Sequence, residues 1–375
     1  MSKNKFFKGV KPWSKRKHRI LGKYLPPFTA KVASRIRQRE IFCIDGFAGS
    51  AKYEDNQAGS PLITAQFSDK CSNWTDPVTL KIINVEAKRK NFISLRLITQ
   101  RWEEKGIVIN INKKFNDSVS EILKIIGDAP ALFFIDPFGP TDIHFSCLEP
   151  ILRRSQQMTE LIINFDVDGL RRIIDAAFSY KTETTVAEKQ FKHAVEVLGS
   201  QSCVEKLKDS TLSTEEREQI ILNHYEKRLT RFGYKVLSYP IRENDLKTPK
   251  YYIICCTRHE DGVKLLNNFF RQEEDDLIKE SYSPDSNPRF PEFDITREIK
   301  EERQQTLRNL LPSFLLKNRK TTRKQIMYHF IEKHFGDFDD KDYRAVVQEL
   351  IDSEILVAEH GKKKINDDVL LTYLG

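Results

Sequence analysis

The chain has 375 residues, of which 39% are apolar and 31% charged, and carries a net charge of +8. That length suits one large core and a second small one, and no apolar run nears the eighteen or so residues of a helical membrane span, which excludes a membrane protein of that kind. The basic start lacks an apolar h-region, so no secretory signal is expected, and six scattered cysteines without CxxC or Cys/His ligand spacing argue against a structural zinc site and for buried, reduced thiols in the cytoplasm.

Taken in order, residues 1–39 hold Lys and Arg unopposed by any acid, a local charge that favours phosphate-rich partners. Residues 1–10 read as a solvated tail. Residues 11–25 read as a helix, with Trp13, Ile20, Leu21, Tyr24 and Leu25 interleaved with Lys15, Arg16, Lys17, His18 and Arg19. Two readings stand side by side. Trp13, Lys15, Lys17 and His18 grip a nucleic-acid backbone, or the helix packs across a sheet with its cationic stems covering apolar surface. Pro26-Pro27 is expected to end this helix.

Ile41–Ile44 is a short buried strand that stops at Asp45 and runs into Gly46, Ala48, Gly49, Ser50 and Ala51. So little bulk lets backbone N–H groups approach a ligand closely. Ser60-Pro61 gives an N-cap and first-turn proline. Further strands are expected over 80–85, ending at Glu86, and over 106–111, after which Asn116-Asp117 opens a helix. Two more follow, over 131–135, ending in Asp136-Pro137-Phe138-Gly139, and over 161–165, ending at Asp166. Strands alternating with helices predict an α/β fold with a doubly wound, mostly parallel sheet whose polar strand ends share one edge. Residues 170–230 read as a helical insertion or cap, and 234–239 and 251–257 as two more strands joined in a hairpin-like way, for seven in all.

This places a basic arm at 1–39, an α/β domain at 40–271, a charge- and proline-rich linker at 272–304 and a separate unit at 305–375. In that unit, a helix over 322–335 precedes one capped by Asp339 or Asp340. Strands 355–358 and 369–372 then flank a basic turn at Gly361–Lys364. Helix, helix and hairpin is the order of a winged helix-turn-helix. The acids Asp342, Glu349 and Asp352 on its second helix make a protein-docking wing as good a reading as a DNA reader.

GxGxxG and GxxxxGK[ST] are both absent, which disfavours a dehydrogenase and a P-loop enzyme. His144, His193, His224 and His259 show no ligand spacing, and Ser50 and Ser60 lack a His/Asp context. The strand-end residues resemble class I S-adenosylmethionine-dependent methyltransferases, the Rossmann-like methyltransferases. Asp45, Phe47, Ala48, Gly49 and Ser50 match the first motif, with Ala51 where a glycine is common. The resemblance implies that Glu86 holds the ribose hydroxyls and that Asn116 and Asp117 read the adenine edge. Asp136, Pro137 and Phe138 resemble the motif after strand four of amino-group methyltransferases. It differs in order, since the aromatic residue stands third. Asp136 would accept a hydrogen bond from a target amine. More narrowly, Trp13 with Lys17-His18, the FAGS loop, Gly59–Leu62, IDPFG and the terminal unit resemble the three-Cys-motif partner (TcmP) proteins. That label implies a partner bearing a three-cysteine motif, of radical-SAM-like type. The expectation is a methyltransferase acting on nitrogen in a nucleic acid or modified nucleotide, with a catalytically silent binding module as the alternative.

Overall fold

The computed structural model describes residues 12–36, 40–53, 55–154, 158–179, 182–242, 249, 251–281, 295–359 and 365–375; for 12–15, 281, 295 and 296 it describes the backbone alone. The chain divides into two compact units, one reaching Arg258 and the other running from His259 to Gly375.

The first unit is built on seven strands: β1 (Glu40–Asp45), β2 (Thr79–Val85), β3 (Val108–Ile111), β4 (Ala131–Ile135), β5 (Thr159–Phe165), β6 (Lys235–Ile241) and β7 (Tyr251–Thr257). They form one sheet in the order β3-β2-β1-β4-β5-β7-β6. The first five pair in parallel, and β7 runs antiparallel to both β5 and β6. The helices between them are α1 (Pro12–Ala33), α2 (Ser60–Cys71), α3 (Arg89–Glu103), α4 (Phe115–Ile126), α5 (Phe145–Leu152), α6 (Val167–Ala177), α7 (Thr184–Leu198), α8 (Gln201–Lys206) and α9 (Thr214–Thr230). The sheet is the mostly parallel, seven-stranded one the sequence predicts. The order reverses between β1 and β4, the place where an open α/β sheet leaves a crevice at its carboxyl edge.

Successive side chains of a strand point to opposite faces, and both faces are apolar. Phe42, Ile44, Ile83, Phe133, Ile163 and Phe165 meet α4 to α9 in one cluster. Ile82 and Val108 join Leu62, Ala65 and Trp102 from α2 and α3 on the other. Residues 170–230 are therefore not a cap standing apart. Ala194, Val197 and Leu198 of α7, with Ile221, Leu222, Tyr225 and Leu229 of α9, share the core of β4 and β5. The charges of this stretch pair with one another, as Arg171 of α6 does with Asp168 and Asp175 and with Glu218 of α9.

Helix α1 runs on through Pro26 and Pro27 to Ala33, against the expected stop. A proline inside a helix costs about 3 kcal/mol, but Leu25, Phe28, Thr29, Val32 and Ala33 are all buried, and burial of several apolar side chains outweighs that cost. The Thr29 hydroxyl also donates to the Leu25 carbonyl at 2.7 Å. The second reading of this helix, packing across the sheet, is the one realised for its middle. Tyr24 donates its hydroxyl to Glu160 near the start of β5, and Thr257 donates to the other oxygen of Glu160 at 2.6 Å. Burial pushes the Glu160 carboxyl up, against the pull of these two hydroxyls. Tyr24→Phe deprives a fully buried acid of a donor and is expected to lower stability by about 1–3 kcal/mol, measured by urea unfolding.

Two helix starts differ slightly from the expected ones. Gly59, not Ser60, is the N-cap of α2, and Lys114 is that of α4, so Asn116 and Asp117 lie inside the first turn.

The second unit contains α10 (Glu260–Ser281), α11 (Ile295–Lys317), β8 (Lys320–Thr322), α12 (Arg323–Ile331), α13 (Asp340–Asp352), β9 (Leu356–Ala358) and β10 (Leu370–Tyr373). Its three strands form an antiparallel sheet, β8-β10-β9. Asp339 caps α13, its carboxylate accepting from the amides of Lys341 and Asp342. The linker expected at 272–304 is replaced by helix at both described ends. Leu277 of α10 and Leu307 of α11 are buried, because the charges of these stretches decorate amphipathic helices rather than a solvated connector. The basic turn at 361–364 lies outside the described residues.

Candidate functional site

The crevice is assembled from strand ends. Asp45 closes β1 and is 1% exposed. Its Oδ1 accepts from the Phe47 amide at 3.1 Å, while Oδ2 has no hydrogen-bond partner. Burial pushes the carboxyl up to about 7, with the Ser60 hydroxyl and the Phe47 amide pulling the other way. The loop that follows is held close to the sheet by Gly46 N donating to Phe134 O and Ala48 N to Val85 O, both at 2.9 Å. A Cβ on Gly46 would stand 2.9 Å from the Phe115 ring, so only glycine passes here. Gly49 and Ala51 both have positive φ, 64° and 65°. Where the resemblance would have a glycine, Ala51 adopts the left-handed conformation that glycine takes without strain.

Glu86, just beyond β2, is 2% exposed. Its Oε1 accepts from the Lys88 amide at 2.6 Å and its Oε2 is unpartnered. Two buried carboxylates on adjacent strands thus each keep an oxygen with nothing to bond. Such groups cost free energy unless a ligand satisfies them.

Asp136, beyond β4, receives the Lys17 ammonium on Oδ1 at 2.6 Å and the Asn164 amide on the same atom at 2.9 Å. Lys17 comes from α1 and is 8% exposed, with Nζ 5.4 Å above the Tyr251 ring. Pro137 leads to Phe138, which is 42% exposed. The Lys88 ammonium lies 4.9 Å over the Phe138 ring, and Phe47 meets it edge-on. Phe47 packs in turn on Phe115.

Asp45, Phe47, Ala48, Glu86, Asp136, Pro137 and Phe138 thus gather at one edge, while the half-buried Gly49–Ser50 turn is tied back by Ser50 donating to Lys52 O at 2.8 Å. Asn116 is used differently from expectation. Its amide donates to Asp142 O at 3.1 Å and accepts from His144 N at 3.3 Å, stapling the loop after β4 to α4. Asp117 is exposed on the first turn of α4. Lys17 and His18 both turn inward rather than standing open at the surface. Lys17 is committed to Asp136, and His18 lies beside Tyr53 with its pKa lowered to about 4, chiefly by burial, so its ring is uncharged at neutral pH. The side chains of Trp13 and Lys15 lie outside the described residues. In the run Arg319–Lys324, Arg323 is bound to Asp367 at 2.7 Å and Lys324 lies 3.5 Å from Glu260, leaving Arg319 and Lys320 as its exposed cations.

Three participants escaped sequence reasoning. Asn164 is 4% exposed in β5, and its Oδ1 lacks a partner. Asn112 donates to Glu86 O at 2.8 Å and fixes that strand end. Lys88 supplies the cation over Phe138. The signal for Asn164 was present, an amide inside the apolar run LIINF. Among the described residues no group of three His, Cys, Asp or Glu is placed to hold a metal ion, and no helix is long and apolar enough to cross a membrane.

No family model matches the chain, and no curated protein matches it significantly. Solved structures do. An O-methyltransferase from Bacillus cereus in complex with SAH is 14% identical over 67% of this chain and 83% of its own, with a TM-score of 0.36. The O-methyltransferase TomG from Streptomyces achromogenes, in complex with SAM, is 14% identical over 68% and 93%, with a TM-score of 0.31. The small RNA methyltransferase HEN1 is 11% identical over 63% of this chain and 26% of its own, with a TM-score of 0.32. At such scores these matches carry no argument by themselves; the strand order and the strand-end chemistry do.

Proposed function

We propose that the protein binds S-adenosylmethionine and transfers its methyl group. The observation that carries this reading is the pair of buried, half-satisfied carboxylates, Asp45 and Glu86, with Oδ2 and Oε2 unpartnered, on either side of a loop whose Gly46 has no room for a side chain. A ligand with a hydroxyl pair and a cationic end satisfies both. Glu86 would take the ribose hydroxyls, and Asp45 the cationic methionine end through the loop Gly46–Ser50. S-adenosylmethionine supplies a methyl group activated by its sulfonium. The chain's part is to hold and align it and to keep water away, which is catalysis by positioning.

Titration calorimetry with S-adenosylmethionine tests this. Wild type should bind, and Glu86→Ala or Asp45→Ala should weaken binding at least tenfold, since each removes a charge-assisted hydrogen bond worth about 1.5–3 kcal/mol. Because bound cations favour the ionised form of Asp45, binding at pH 6.5 should release protons, read as a dependence on buffer ionisation enthalpy. Unaltered affinity in both variants would sink the reading.

The finer expectations are carried by less. A nucleic-acid acceptor rests on the net charge of +8 and the basic stretch before residue 40. A partner with a three-cysteine motif rests on the resemblance alone. A winged-helix role for the second unit is supported by its order of α11, β8, α12, α13, β9 and β10. Transfer to nitrogen rests on Asp136, whose Oδ1 also holds the Lys17 ammonium at 2.6 Å.

A further inference from the structure

We infer that the methyl acceptor is a hydroxyl oxygen, received beside the ion pair of the Lys17 ammonium and the Asp136 carboxylate. The inference rests on the adenosylmethionine reading above. Three groups from three different elements meet here. The Lys17 and Asp136 side chains are 9% and 19% exposed, with Nζ and Oδ1 2.6 Å apart. Asn164 of β5 adds a second donor to that Oδ1 and keeps a buried Oδ1 of its own without a partner. A charged pair taken out of water is costly and adds little to stability over an apolar pair of the same volume. A buried amide oxygen without a partner also costs free energy that a bound group can recover.

The chemistry separates the two classes of acceptor. A nitrogen becomes cationic as its bond to carbon forms, and an ammonium at its side opposes that charge. A hydroxyl must lose a proton, and the charge then gathering on oxygen is stabilised by the same ammonium. Asp136 is the base within reach. In the balanced step the O–H bond breaks and its proton passes to the Asp136 carboxylate. The oxygen forms a bond to the methyl carbon, and the carbon–sulfur bond breaks with its electron pair on sulfur. Carboxylate and sulfonium are both neutralised, and Lys17 keeps its charge throughout.

RNA and DNA strands of matched sequence offer the same base nitrogens, but RNA alone offers 2′-hydroxyls. With tritiated S-adenosylmethionine, the wild-type protein should label RNA, and nuclease digestion should recover the label as O-methyl ribose. Lys17→Met should lower the transfer rate at least 100-fold with adenosylhomocysteine affinity kept within threefold, and Lys17→Arg should restore part of the rate. A merely structural Lys17 would instead lower binding and melting temperature together. A readout independent of turnover is the ammonium signal of Lys17 in 15N-lysine-labelled protein. It should persist when adenosylhomocysteine binds and vanish in Asp136→Asn. Label on nitrogen, no label in either strand while adenosylhomocysteine still binds, or loss of the ammonium signal on binding would each overturn the inference. Failure to bind adenosylhomocysteine would instead remove the reading beneath it.

Discussion

Asp45→Asn is expected to stabilise the ligand-free protein strongly at pH 8 and hardly at all at pH 4. Burial, the dominant cause, raises the Asp45 carboxyl from 3.8 to about 7. The sign follows from proton counts. Below about pH 4 the carboxyl is protonated in both folded and unfolded chains and costs nothing. Between pH 4 and 7 the unfolded chain gives up its proton while the fold retains it, so stability falls as pH rises. Above pH 7 the fold carries a buried anion with one oxygen unpartnered. A gap of about three pH units corresponds to at most about 4 kcal/mol, and relaxation around the charge brings the expected gain at pH 8 to about 2–4 kcal/mol. Asparagine keeps the shape and the bond from the Phe47 amide without the charge. Urea unfolding of wild type and variant across pH 4–8 reads this directly. A gain that does not change with pH would mean that charge burial is not its source. The same substitution should weaken adenosylmethionine binding, since it removes the negative charge that would face the cationic methionine end.

Arg303→Ala should unfold the second unit with a loss of about 3–5 kcal/mol. Its guanidinium places Nε 2.7 Å from Asp342 Oδ2 and Nη1 2.9 Å from Asp275 Oδ1. Arg271 meets the same Asp275 oxygen at 2.6 Å. Asp342 is fully buried at the start of α13 and also accepts from the Asp339 amide at 3.0 Å. Removing the arginine leaves that carboxylate buried without a countercharge, the costly way to break such a pair. The pair Arg303→Met with Asp342→Leu removes both charges and should cost clearly less than Arg303→Ala alone. Thermal unfolding followed by a probe in the second unit distinguishes the two. A double variant as unstable as the single one would mean that packing, not charge, holds α11 to α13.

How much of this was legible in the residues can be traced element by element. The parallel strands announce themselves because strands buried on both faces must be apolar throughout, as in ALFFI and LIINF. Their polar ends, Asp45, Glu86 and Asp136, follow from the same rule, since the run stops where the chain leaves the core. Local pattern also captured β6, β7 and the cap at Asp339, because caps and alternation depend on near neighbours.

What lay beyond the sequence depends on contacts between distant residues. Nothing near Pro26 says that Phe28 and Val32 will be buried, so α1 looked finished at the prolines. Lys17 read as a surface cation because its anion stands 119 positions away, and a lysine's meaning is set by what lies at its tip. Asn116 looked poised for a ligand until the loop after β4 folded onto its amide. The sequence alone determined a sheet edge with carboxylates at its strand ends. The tertiary structure decided which of them keep one oxygen unpartnered, Asp45 and Glu86, and which is engaged by a cation, Asp136, because hydrogen-bond satisfaction is a property of the assembled fold.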